Sequence, residues 1–279
     1  MKEQAVKAAG ERDAGEAAVR TIGLTRLFGS LAAVDHVDLV IPYGEIFGLL
    51  GANGAGKSTL IKMLTTLLPP TSGHAQVGGF DIVGAPALVR GRIGYVPQLL
   101  SADGALTGYE NLLLSAKLYG LPREERHDRI EEALDFMGLA DSAKRLAKTY
   151  SGGMIRRLEL AQAMLHRPAI LFLDEPTIGL DPVARHVVWE RLRELRSSYG
   201  MTVLITTHDM EEAETLCGEL AIMHGGRIAV IGKPLELRTG LGPTASLNDV
   251  FAHYAGGGIS DGGDFSGAVR TRRTARRLG

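Results

Sequence analysis

Several things are scarce in this sequence, and each scarcity removes a class of function. There is one cysteine, Cys217, so no disulfide can form within the chain, and a reducing compartment fits. No apolar run approaches the roughly 20 residues needed to span a bilayer; stretches such as Ile170 to Leu173 are far shorter. Met1 to Gly15 is charged and Ala-rich without an apolar segment, which argues against a secretory signal. Net charge is almost absent, −1 from 31 basic and 32 acidic residues, so nothing draws the chain toward nucleic acid or anionic lipid at long range. No nucleic-acid partner is expected. The eight histidines lack metal-ligand spacing, and no zinc site is expected. Any membrane role must come through another protein.

What is present is a chain of 279 residues, 45% hydrophobic, enough for a large core. Val19 to Phe28 and Val34 to Ile41 alternate apolar and polar residues, which predicts paired half-buried strands. Ile46 to Leu50, Ile93 to Val96, Ile170 to Leu173 and Thr202 to Thr206 are short apolar or β-branched runs, the pattern of buried parallel strands. Ser58 to Leu68 and Val183 to Ser198 have helical spacing, and Thr107 to Leu165 reads as a helical block between strands. Glu219 to Val230 reads as a hairpin turning at Gly225-Gly226. The expected architecture is α/β: a mostly parallel sheet, an antiparallel side sheet and an inserted helical subdomain over about 99–165. The expected domain is 19–255, flanked by a mobile extension over 1–18 and a disordered Gly- and Arg-rich tail over 256–279.

Gly51, Ala52, Asn53, Gly54, Ala55, Gly56, Lys57 and Ser58 fit G-x-x-x-x-G-K-[ST] between a predicted strand and a predicted helix. Glycines let backbone N–H groups converge on a phosphate, and the helix that follows adds its positive end. Lys57 reaches the β- and γ-phosphates as a point charge, and the Ser58 hydroxyl suits Mg²⁺. This loop by itself does not separate kinases, GTPases and ATPases. Ile170 to Leu173 ends in Asp174 and Glu175. In P-loop enzymes an Asp at such a strand end holds Mg²⁺. Glu175, pointing the other way off the strand, is placed to polarise an attacking water as general base.

Upstream of the acids, Tyr150-Ser151-Gly152-Gly153-Met154-Ile155-Arg156-Arg157 resembles the ABC signature, usually written LSGGQ. Gln98 after its strand resembles the Q-loop, Pro176 to Asp181 the D-loop, and His208 the switch histidine. Phe28 precedes Gly29 where the family often has an aromatic that stacks on adenine. The resemblance covers about residues 20–255. Tyr150 and Met154 depart from the usual Leu and Gln. Gly-Met-x-Arg-Arg-Leu, and the ending Ser246-Leu247-Asn248-Asp249-Val250-Phe251, resemble the subgroup that serves ABC-2-type exporters, the daunorubicin-resistance ATPases among them.

The resemblance implies an ATP hydrolase that uses ATP and Mg²⁺ and powers a separate integral membrane permease from the inner face of the cell membrane. It implies a second ATPase domain, a homodimer in the simplest case, because each ATP lies between one copy's P-loop and the other's signature. The implied nucleotide contacts are Phe28, the loop from Gly51 to Ser58, Thr59, Gln98, Ser151, Gly152 and Gly153; the metal set is Ser58, Gln98 and Asp174; the catalytic set is Glu175, His208 and Lys57. An importer ATPase would carry the same markers; the main rival is a soluble ABC ATPase such as one of iron–sulfur assembly, against which the subgroup-like signature and C-terminal helix speak. Cys217 and Trp189 read as core residues.

Overall fold

The computed structural model describes residues 17–256. The extension expected over 1–18 and the tail expected over 256–279 lie, apart from residues 17, 18 and 256, outside the described residues. Two sheets organise the rest. β1 (Ala17–Phe28), β2 (Leu31–Pro42), β4 (Ser72–Val77) and β5 (Phe80–Asp81) form an antiparallel sheet in the order β2-β1-β4-β5. The other sheet contains β3 (Ile46–Leu50), β6 (Ile93–Val96), β7 (Ile170–Asp174), β8 (Thr202–Thr207), β9 (Glu219–His224) and β10 (Arg227–Gly232), in the order β10-β9-β3-β8-β7-β6. Its pairings are parallel except for the β9–β10 hairpin.

Nine α-helices accompany the sheets among the described residues: α1 (Lys57–Leu64), α2 (Pro86–Arg92), α3 (Gly108–Leu118), α4 (Arg126–Phe136), α5 (Gly152–Met164), α6 (Pro182–Tyr199), α7 (Met210–Leu216), α8 (Pro234–Leu241) and α9 (Leu247–Gly256). Helices α3 to α5 are the inserted block. Its start is set chemically: Thr107 and Glu110 form a reciprocal capping box that satisfies two orphan N–H groups of α3. None of these helices is long and apolar enough to cross a membrane.

The strands β3, β7 and β8 are buried throughout because both of their faces are covered. Period-two geometry splits them between two cores. Ile46, Leu50, Leu171, Leu173, Val203 and Ile205 join the core shared with the helical block. Phe47, Leu49, Ile170, Phe172 and Leu204 join the core under α1 and the antiparallel sheet. Gly48 is confined by packing, since a Cβ there would lie 2.6 Å from the sulfur of buried Cys217.

The first helix is shorter than its sequence pattern. It ends at Leu64, because Thr66 takes a left-handed φ of 62° and the N–H groups of Leu67 and Leu68 both turn back to the Lys62 carbonyl. Strands β4 and β5 and helices α2 and α8 were not legible as periodic segments. β4 is half polar, and its place comes from pairing with β1.

Candidate active site

In parallel α/β sheets, ligands bind beyond the carboxyl ends of the strands. Gly51 follows β3, Gln98 follows β6 with Pro97 between, Glu175 follows β7, and His208 follows β8. Pairing of Leu50 with Thr207, and of Thr206 with Asp174, brings these ends level. The site is therefore one edge of one sheet.

The loop from Gly51 to Gly56 is built by space and backbone angle. Gly56 has φ 106°, and a Cβ there would stand 2.2 Å from the Ala33 carbonyl oxygen. A Cβ on Gly51 would stand 2.7 Å from the Met223 oxygen. The β9–β10 turn clasps the loop, with Gly226 N–H donating to the Ala55 oxygen at 3.1 Å. Ala52, Asn53 and Gly54 face solvent, Ser58 and Thr59 are half-buried, and Lys57 is buried.

Lys57 Nζ donates to the Gly51 oxygen at 2.7 Å and the Ala52 oxygen at 3.2 Å, and lies 3.4 Å from Glu175 Oε1. Ser58 Oγ donates to Asp174 Oδ1 at 3.0 Å, and Thr206 Oγ1 donates to the same oxygen at 2.6 Å. Gln98 Nε2 donates to Glu175 Oε2 at 3.4 Å, and His208 Nδ1 lies 3.3 Å from that oxygen. Lys57, Ser58, Gln98, Asp174, Glu175 and His208 thus form one contact network. The Tyr95 phenol nearby is pushed up to about 12 by burial and then by the Asp174 charge, so it stays protonated.

One expectation is corrected by the backbone. Strand alternation sends Glu175 away from Asp174, but Glu175 has φ 50°, in the left-handed region. The strand ends there, and both acids converge on the start of α1: Asp174 on Ser58, Glu175 on Lys57. Such a conformation costs about 1–3 kcal/mol and persists only where surroundings enforce it. Here the Glu175 N–H is tied to the Thr206 hydroxyl at 3.0 Å and the Thr206 oxygen at 3.2 Å.

Ser151, Gly152 and Gly153 stand apart. No hydrogen bond or ion pair joins them to that network. Ser151 caps α5 by accepting from Met154 N–H at 3.3 Å, and Ser151 and Gly152 are exposed. Gly153 is pressed against α6, where a Cβ would sit 2.7 Å from that of Ala184. Tyr150 turns inward and donates to the Ser142 oxygen at 2.7 Å. Phe28 is also apart: it is exposed near the tip of the β1–β2 hairpin, with the Arg26 guanidinium 4.8 Å over its ring.

Other residues at the site escaped sequence reasoning. Thr206 is one, since nothing in a β-branched strand signals a hydroxyl aimed at a carboxylate. Glu212 is another. It is buried in α7, and its Oε1 accepts from Thr177 Oγ1 at 2.8 Å and from the indole of Trp189 at 3.0 Å. Burial raises its carboxyl above the usual range, against the pull of hydrogen bonds from Thr207, Thr177 and Trp189. Trp189 is core, as expected, with this polar tie added. Glu175, Thr177, His208 and Glu212 line a cavity of about 120 Å³.

A glycine loop between a parallel strand and a helix, beside a strand ending in an acid that meets the loop's serine, defines a P-loop nucleoside triphosphatase. The antiparallel side sheet and the helical block narrow the class further. The chain belongs to the ABC transporter family, whose model matches residues 34–178. It is an ATP-binding, ATP-hydrolysing domain of that family. It is 45% identical over 225 residues to the daunorubicin/doxorubicin resistance ATP-binding protein DrrA of Streptomyces peucetius, covering 81% of this chain and 68% of that one. It is 44% identical over 226 residues to the Nod factor export ATP-binding protein I of Sinorhizobium fredii, covering 81% of this chain and 66% of that one. The chain thus spans about two thirds of the length of these relatives. A solved ATP-binding subunit of an ABC transporter superposes with a TM-score of 0.75 at 30% identity, over 85% of this chain and 98% of that one.

Proposed function

We propose that two copies of this chain close around two ATP molecules and drive a separate membrane permease, an exporter of the ABC-2 type whose cargo is a drug or another hydrophobic compound. The observation that carries this reading is the separation of two half-sites on one chain. The cluster around Lys57 and Glu175 is drawn together by its own contacts, whereas Ser151 and Gly152 lie exposed at a capped helix start. A helix N-terminus has N–H groups and a positive end that favour an anion. With its own P-loop out of contact, that end suits the γ-phosphate held by another copy. The export reading is supported by the names of the relatives, which speak of drug resistance and Nod factor export. It places the chain against the inner face of the cell membrane, on its permease.

In this mechanism the loop from Gly51 to Gly56 binds phosphate oxygens through main-chain N–H groups, and Lys57 exchanges its carbonyl partners for phosphate. Phe28, exposed, offers a face to the adenine ring. Ser58 and Asp174, already 3.0 Å apart, supply hard oxygens that fit Mg²⁺, with the Gln98 amide as a further ligand. Held by these residues, Mg²⁺ would supply charge neutralisation at the phosphates. Glu175 takes the proton of the attacking water, held in place by Gln98 and His208 on its Oε2. Glu175→Gln keeps the size of the side chain and removes the base, so turnover falls by roughly 10²–10⁴-fold while nucleotide binding remains. Its mass in solution is the test. A change from monomer to dimer on adding MgATP supports the shared site; a monomer at saturating MgATP, with and without the permease, refutes it.

A further inference from the structure

A second buried ion pair lies outside the catalytic cluster. Arg156 and Glu159 sit three residues apart on α5, 3.0 Å from each other, with side chains 2% and 1% exposed. Their remaining bonds all go to one short segment. Arg156 donates to the Pro97 oxygen at 2.9 Å and the Gln98 oxygen at 3.1 Å. Glu159 Oε1 accepts from the N–H of Ser101, and from its hydroxyl at 3.1 Å. The segment is gripped at both ends, while Leu99 and Leu100 between them are 81% and 58% exposed.

Stability alone does not account for this arrangement. Burying two charges is expensive, and apolar pairs of like volume serve a core as well or better. The planar guanidinium fork, by contrast, fixes two carbonyls at once, which an apolar side chain cannot do. Those carbonyls flank the residue whose side chain reaches Glu175. Arg156 also lies only five residues from Ser151, the cap of the same helix.

We infer that the Arg156–Glu159 clamp makes the start of α5 and the segment from Pro97 to Ser101 a single moving body, so that capture of Ser151–Gly153 by a second copy repositions Gln98 and displaces Leu99 and Leu100. The inference rests on the shared-site reading above. Arg156 and Glu159 act through Gln98 and are positioning residues.

The test uses the full chain with Glu175→Gln and a spin label on Leu99→Cys. Cys217 stays unlabelled, because it is buried and burial pushes its thiol well above the usual range. In the clamped protein, MgATP produces association and a change in label mobility. In Arg156→Gln/Glu159→Gln, which removes both charges together, association persists and the mobility change shrinks by about fivefold or more, a coupling of ordinary allosteric size. Association with an undiminished label response overturns the clamp. Absence of association in the clamped protein, with and without the permease, is instead the failure of the shared site, and both readings fall. Should the double variant not fold, Arg156→Lys keeps the ion pair but loses the fork. With Glu175 intact, it lowers kcat about tenfold while KM for ATP stays within about twofold. An unchanged kcat overturns the proposal.

Discussion

The two regions proposed to meet phosphate are built in opposite ways. At the strand ends, Lys57, Ser58, Gln98, Asp174, Glu175 and His208 come from four separate stretches of chain and satisfy one another within 3.4 Å. At the start of α5, Ser151 and Gly152 satisfy only their own helix and face solvent. The difference has a physical basis. Charged groups withdrawn from water must be paired, so the buried Lys57, Asp174 and Glu175 take their partners from within the chain. Main-chain N–H groups at a capped helix end carry only partial charge and stay hydrated without penalty until an anion arrives. One region is complete within the chain; in the proposed mechanism the other is half of a site.

The sharpest way to break that contrast is to damage each half separately. Lys57→Ala removes the phosphate-binding charge, and Ser151→Arg fills the helix end. Each alone lowers ATP hydrolysis by roughly 10²–10³-fold, the usual effect of losing a preorganised charge partner. Mixed in equal amounts, they recover about a quarter of the parent rate, because half of randomly paired dimers are mixed and each of those holds one intact site. Recovery measured by phosphate release supports sites shared between copies; a mixture as inactive as its components contradicts them.

Gly56→Ala tests the closed half without touching charge. With φ 106° and the Ala33 oxygen 2.2 Å from the new Cβ, the loop must shift. We expect a loss of about 2–4 kcal/mol of stability and weaker nucleotide binding, read by thermal unfolding with and without ATP. The smallest effect concerns Glu212, buried beside the closed half. Its carboxyl is raised in the folded state, so below about 4.5 the proton is bound in both states and nothing is lost. As pH rises above that value, the unfolded state ionises first and stability falls until the folded carboxyl ionises too. Glu212→Gln should flatten the decline of melting temperature with rising pH; an identical pH profile would show that Glu212 is not its source.

Much of the closed half is visible in the sequence, since a phosphate loop demands fixed local spacing and a buried strand ending in acids is a local pattern too. The fold class was legible for the same reason: runs such as Ile46 to Leu50 and Thr202 to Thr206 are buried on both faces and carry no polar alternation. Arg156 and Glu159 illustrate the limit. Two charges at i and i+3 on a helix ordinarily mark a solvated face. Nothing local shows that Pro97 and Ser101 cover them. The left-handed turn at Glu175 was hidden likewise, because its enforcing partner, Thr206, is 31 residues away.

By itself, the sequence determined the phosphate loop, the acidic strand end and the parallel character of the main sheet, all of which follow from residue type and short-range spacing. Only the tertiary structure decided that both acids face α1, that Trp189 and Thr177 hold a buried Glu212, and that a charged pair on α5 grips the segment carrying Gln98. Those outcomes depend on which distant backbone groups a side chain meets once both faces of the sheet are covered. Burial then sets how much each meeting counts, because it removes the water that would otherwise satisfy the charge.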